Sequence, residues 1–257
     1  HAGRAQCRSV RPYRLHRTQQ QQAKNSGNIT FSGAGSTGIL VQTGATASNG
    51  GNISVNDGGT GIRADATGAT AATTANNTGQ LIIAGGTTAA RTRGAVAQGT
   101  RAVVNLNAGT TLQMTGQGAI GAEAAGGTLN VAASVAPTFG NTDQIAFHGA
   151  GAGSMINSAL SALNANTARS TIYRLDDGAA LTQSAASTLT ASGDASRALV
   201  ASGAGTGVTL GNSAIAVTGN GAAAVESRGG AAATLGVGSS VVLSGQASLG
   251  GIVDGQP

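Results

Sequence analysis

Residues 51–65 read GNISVNDGGTGIRAD: a short run Gly51-Asn52-Ile53-Ser54-Val55, a turn at Asp57-Gly58-Gly59, and a second run Gly61-Ile62-Arg63-Ala64. Ile53 and Val55 alternate with polar Asn52 and Ser54, the period-two signature of a half-buried strand. Gly supplies the positive φ that a tight corner needs, and Asp and Asn bond their own backbone there. Two short strands and a corner in fifteen residues leave no room for a helix.

The first run recurs. Its pattern, small–x–aliphatic–x–aliphatic, appears at Gly27–Phe31, Gly51–Val55, Gly79–Ile83, Ala102–Leu106 and Gly127–Val131, with starts 24, 28, 23 and 25 residues apart. It returns at Thr206–Leu210 and Ala233–Val237. The second run recurs at Gly38–Val41, Gly61–Ala64, Ala119–Ala122, Ala198–Ala201, Ala224–Ser227 and Gly251–Asp254, and a third strand is visible at Leu112–Met114, Ile215–Val217 and Val241–Leu243. Three short strands per unit of about 25 residues predict an all-β chain, a right-handed parallel β-helix of about nine rungs over residues 25–257. Ile29, Ile53, Leu81, Val104 and Leu129 are expected to stack as one inward aliphatic ladder.

Composition agrees. Gly is 43 of 257 residues, only 2% of the chain is aromatic and only 9% is charged. That cannot fill a wide globular interior, yet 40% hydrophobic residues and a mean hydropathy of +0.07 are too apolar for a disordered chain. A narrow interior with many corners satisfies both. Residues 154–170 (SMINSALSALNANTARS) break the pattern, because Met155, Ile156, Leu160 and Leu163 sit nearer a 3.6 than a 2 spacing. A short irregular or helical insert is expected there.

The net charge of +5 comes from residues 1–24, a basic low-complexity N-terminal tail carrying Arg4, Arg8, Arg11, Arg14, Arg17 and Lys24 without an acid. It reads as a disordered terminus or targeting remnant rather than a nucleic-acid contact. The remainder is near neutral with no aromatic platform, so no nucleic-acid partner is expected. Cys7 is the single cysteine, which leaves the rest without a disulfide or a Cys-based metal site. No intact signal peptide and no apolar run of about 20 residues is present, so direct membrane insertion is not expected.

Chemistry is sparse. Asp176-Asp177 beside Arg174 are the only adjacent acids, and Asp-Asp-Gly reads as a turn, as do Asp57-Gly58-Gly59 and Asp254-Gly255. His148 is the sole histidine outside the tail and has only Asp143 near it in sequence; it reads as a surface residue rather than a ligand or catalytic base. Asn28-Ile29-Thr30, Asn52-Ile53-Ser54 and Asn76-Asn77-Thr78 match the glycosylation sequon but read as corner and strand-flank polar residues. No catalytic residue, cofactor-binding residue or metal site is assigned, no cofactor is expected, and the chain is not expected to be an enzyme.

The Gly/Ala/Thr/Asn-rich rungs, the scarce Cys and Trp, units such as GNISVNDGGTGIRAD, and the segment STIYRLDDGAALT (170–182) resemble passengers of the pertactin-type autotransporters of Gram-negative bacteria. The resemblance covers residues 25–257. It implies a non-catalytic, surface-exposed stalk with an adhesive or virulence-associated role, partnered by a host or neighbouring-cell surface, protein or glycan. It also implies an outer-membrane β-barrel translocator in the parent protein and a location at the cell surface or secreted. No Arg-Gly-Asp triplet is present, and no functional residue carries over. A polysaccharide-acting β-helix enzyme and a passenger of a two-partner secretion system are the alternatives. Open strand edges at the ends of a stack make end-to-end self-association a further expectation.

Overall fold

The computed structural model describes residues 21–255. Its regular elements there are 27 β-strands with no helix, wound in nine rungs of three. The first rung runs through Gln22–Asn25, Ile29–Ser32 and Thr37–Gln42, and the last through Ala232–Leu235, Ser240–Leu243 and Leu249–Asp254. Each strand pairs in parallel with the strand at the same place in the neighbouring rungs, so three faces run along the stack. The chain is a parallel β-solenoid. At about 4.8 Å per rung the stack is roughly 40 Å long.

The first strand takes Gln22, Ala23 and Lys24 out of the stretch assigned to the tail. Arg4, Arg8, Arg11, Arg14, Arg17 and Cys7 lie outside the described residues.

Register corrects the expected ladder. On the second face Ile29, Ile53, Leu81 and Leu112 stack in successive rungs. Val104 and Leu129 belong instead to the first face, where they stack with Ala75, Ile156, Leu181 and Val208. The first-face strands of rungs 1–3 (QAKN, TASN, TTANN) carry no large aliphatic residue, so the first face becomes aliphatic only from rung 4, while the second face stays aliphatic there with Leu112 and Met114. The Thr206–Leu210 repeat also shifts: Val208 lies beside Ala233 and Leu210 beside Leu235, leaving Val237 fully exposed.

Asn takes the aliphatic place in those early rungs. Buried Asn49 donates to the carbonyl of Gly51 (3.0 Å) and to Asn77 Oδ1 (2.7 Å), and accepts from Asn25 Nδ2 (2.7 Å). Asn77 continues the ladder to the Gly79 carbonyl (2.9 Å) and Thr110 Oγ1 (3.2 Å). Gly27, Gly51 and Gly79 stack so closely at this corner that a Cβ at Gly79 would collide with the Gly51 carbonyl. Asn49→Ala should cost about 2 kcal/mol in a urea melt, because it strands buried polar partners on both neighbouring rungs. An outward ladder joins Asn76, Asn105, Asn130 and Asn157 at 2.7–2.9 Å, so Asn76 of the third sequon serves inter-rung bonding.

The 154–170 segment is not a helix. It forms the strands Met155–Ser158 and Ala162–Ala165, with Ile156, Leu160 and Leu163 turned into the core. What the segment does mark is a break in pairing: the second face is one sheet through rungs 1–5 and a separate sheet through rungs 6–9. Pro137, in the last strand before the break, removes one of the donors that would cross it. In the same column the N–H of Ile29 donates forward to Asn52, and beside Pro137 the N–H of Ala136 donates back to Thr110. Alternation therefore turns position 137 towards rung 6, where Pro has no N–H to give.

The bulkiest fully buried side chains of the core are on the third face. Fully buried Phe147 and Tyr173 occupy one column and stack with centroids 5.5 Å apart at 26°. The Tyr173 hydroxyl meets Ser158 Oγ (2.7 Å) and Gln183 Oε1 (3.1 Å), while Gln183 Nε2 donates to the Leu160 carbonyl (2.8 Å). Burial raises the Tyr173 pKa well above the usual phenol range, so it stays neutral.

Candidate functional site: the charged third face

Charge is segregated by face. Lys24 is the only charged residue in the strands of the first and second faces. The strands of the third face carry Arg63, Asp65, Arg93, Glu123, His148, Arg174, Asp176, Arg197, Glu226, Arg228 and Asp254. Val96, Glu123, His148, Arg174, Val200 and Glu226 form one outward column, one residue per rung. Residues about 25 apart in sequence thereby become neighbours.

At rungs 3–6 these groups form a continuous chain. Arg93 Nε donates to Glu123 Oε2 (2.7 Å), and His148 Nδ1 lies 3.3 Å from the same oxygen. His148 Nε2 lies 3.0 Å from Asp176 Oδ2, which also accepts from Arg174 Nε (2.8 Å). A shorter copy lies four rungs on, where Arg197 Nε donates to Glu226 Oε2 (2.7 Å) and Arg228 Nη2 sits 2.8 Å from Glu226 Oε1. In both copies the leading Arg also donates from Nη1 to the carbonyl two residues back, Arg91 or Ala195.

Protonation follows from these contacts. Burial alone would lower the His148 pKa, but hydrogen bonds to Asp176 and Glu123, with their charges, raise it overall. Burial would raise Glu123 and Asp176; the His148 bond and the adjacent arginines hold both below their ordinary values. His148 is thus clamped between two carboxylates, which favour its protonated form. The contribution of a raised His is full below about 6.5 and is lost as pH climbs through the folded-state pKa. That of the depressed acids is present above their ordinary pKa values and is lost on acidification. Unfolding free energy should therefore fall as pH rises above about 6.5, by at most about 1.4 kcal/mol per pH unit. His148→Asn should flatten that slope, and an unchanged slope would remove the clamp from the account.

His148 is therefore not an isolated surface residue. Asp143, its neighbour in sequence, instead engages Arg169 through Nε (2.6 Å) and Nη2 (2.8 Å), which pulls its pKa far down. The Asp-Asp-Gly turn is split: Asp177 and Gly178 make the positive-φ turn (54° and 88°), whereas Asp176 ends the strand and belongs to the cluster. Asp57 and Gly58 turn in the same way (53° and 81°). No sequence signal short of the register joins Glu123, His148 and Asp176, since each comes from a different rung. Among the described residues no group of three or more His, Cys, Asp or Glu is placed to hold a metal.

Arg91 stands apart. Its Nη1 donates to the carbonyls of Gly118 (2.8 Å) and Asp143 (3.1 Å), with no carboxylate at ion-pair distance among the described residues. Burial and the nearby Arg174 and Arg93 charges lower its pKa against the opposing Asp143 and Glu123.

Fold and site together define a parallel β-solenoid with one charge-paired face and two faces whose strands carry a single charge, Lys24. No known protein family matches the chain, and neither a curated protein nor a solved structure matches it.

Proposed function

We propose that this chain is a non-catalytic stalk segment of a surface-exposed protein of the pertactin-type autotransporter kind, serving adhesion. The observation that supports it is how the charged side chains are used. Both ring nitrogens of His148 face carboxylates, and Glu123, Asp176 and Glu226 each accept from cations, so the groups that acid–base chemistry needs are tied to one another across rungs. A general base must offer a nitrogen to its substrate, and both ring nitrogens of His148 are already engaged with carboxylates. In this reading the parent protein carries a β-barrel translocator and the stalk stands at the cell surface.

The enzyme reading keeps one feature, the Glu123–His148–Asp176 row with Arg174 beside it, since two acids and a cation on one face suit an acidic polysaccharide. Beads coated with the purified chain, tested for adherence to epithelial cells alongside assays for polyuronate depolymerisation, separate the two. Adherence without released oligosaccharide is expected. Depolymerisation lost in Asp176→Asn would replace the stalk by an enzyme.

A further inference from the structure

We infer that the third face is a docking strip for an acidic polysaccharide, whose carboxylate or sulfate groups are gripped by guanidinium ends that buried carboxylates hold from behind. This deepens the adhesion reading and rests on it for its biological setting.

The charges are layered. The side chains of Asp65, Glu123, Asp176 and Glu226 are 8–19% exposed, whereas Arg63, Arg93, Arg174, Arg197 and Arg228 are 21–52% exposed. Over rungs 2–8 solvent therefore meets guanidinium first; on rung 9 the face ends in the exposed Asp254. The mode of pairing matters as much. Arg93 and Arg174 are held through Nε, the side of the fork, which leaves the Nη2 of Arg93 and both Nη groups of Arg174 for a second anion. End-on binding of a carboxylate or sulfate by two parallel N–H groups is the strong, geometrically specific mode open to arginine. Arg91, half-buried near Arg93 and Arg174, donates to carbonyls and has no carboxylate at ion-pair distance among the described residues, which adds a further cation to the strip.

Spacing favours a polymer over a single ion. These arginines lie on rungs 2, 3, 6, 7 and 8 of one face, a span of roughly 29 Å at the rung repeat. Nucleic acid fits less well. Its single strands need aromatic platforms, and the third face turns both of its aromatic residues, Phe147 and Tyr173, into the core. Because acids underlie the arginines, the grip is short-range and its salt dependence should be shallow compared with a bare basic patch.

Titration calorimetry on the full chain tests this with four probes: polygalacturonate for carboxylate, dextran sulfate for sulfate, unmodified dextran, and duplex DNA. Two variants accompany the parent chain. Arg174→Gln removes the fork whose two Nη groups are both left open; in the tail control, Arg4, Arg8, Arg11, Arg14 and Arg17 become Gln. At least one acidic polysaccharide should bind, and its Kd should rise about tenfold or more in the fork variant, roughly 1.4 kcal/mol, with a melt close to the parent's. The tail control should bind nearly as the parent does. Which polymer binds tighter identifies the acid. Binding that survives in the fork variant but disappears with the tail would overturn the inference, as would equal binding of dextran, a preference for DNA, or no binding at all. Polymer binding without bead adherence would sink the adhesion reading alone.

Discussion

Ile53→Asp abolishes the single cooperative unfolding transition of the stack. Ile53 is fully buried in a column between Ile29 and Leu81, so its backbone cannot turn the new side chain to solvent without moving three rungs. Loss of the aliphatic burial costs about 1.5–3 kcal/mol. The larger cost is a carboxylate facing hydrocarbon with no cation on its side of the sheet, several kcal/mol against a total stability of about 5–15 kcal/mol for an ordinary domain. A solenoid is held by interfaces between neighbouring rungs, so rungs 1–3 should come away first. Hydrogen exchange would then show Asn25, Asn49 and Asn77 deprotected while the amides of rungs 5–8 stay closed. A melt unchanged from the parent's would contradict the register.

Phe147→Ala strikes the middle of the stack and should cost about 3–5 kcal/mol in a urea titration. Phe147 fills the third-face column between Ala122 and Tyr173, and an Ala on one side has no volume with which to close the cavity. Tyr173 cannot slide into the gap, because its hydroxyl is fixed by Ser158 and Gln183. Phe147→Leu should lose far less. If the Ala variant were as stable as the Leu variant, the stacked aromatic pair would not be what fills the core there.

The rung count was readable because corners need Gly, Asn and Asp at nearly constant spacing. The Gly38–Val41, Gly61–Ala64 and Ala198–Ala201 units do share the third face, as one repeated pattern should. Period-two alternation, however, says which residues point inward, not which face they line. Because buried Asn49 and Asn77 stand in the aliphatic places of the early first-face strands, that face shows no aliphatic pattern until Val104, and Val104 and Leu129 look like a continuation of the second-face column. The apparent helix at Met155, Ile156, Leu160 and Leu163 has a similar origin: a corner inserts an inward Leu160 between two strands and imitates a 3.6 spacing. Pro137, which removes a donor at the break in the sheet, lies a rung earlier. The charged row was hidden for a stronger reason. Arg93, Glu123, His148 and Asp176 lie 25–30 residues apart, and their partnership exists only once the pairing register is known.

The central claim is that successive rungs stack in this register, which places the charges on one face. Its most direct test is a set of spin-label distances along one outward column. Asn76, Asn105, Asn130, Asn157, Thr182 and Thr209 follow one another rung by rung on the first face. With Cys7→Ser as background, labels at Asn76 and Thr182 should lie about 19 Å apart, and at Asn76 and Thr209 about 24 Å, each with a narrow distribution. A step of about 4.8 Å on moving the second label by one rung is what the stack predicts. Broad distributions, or a separation that does not change by one rung spacing, would contradict it.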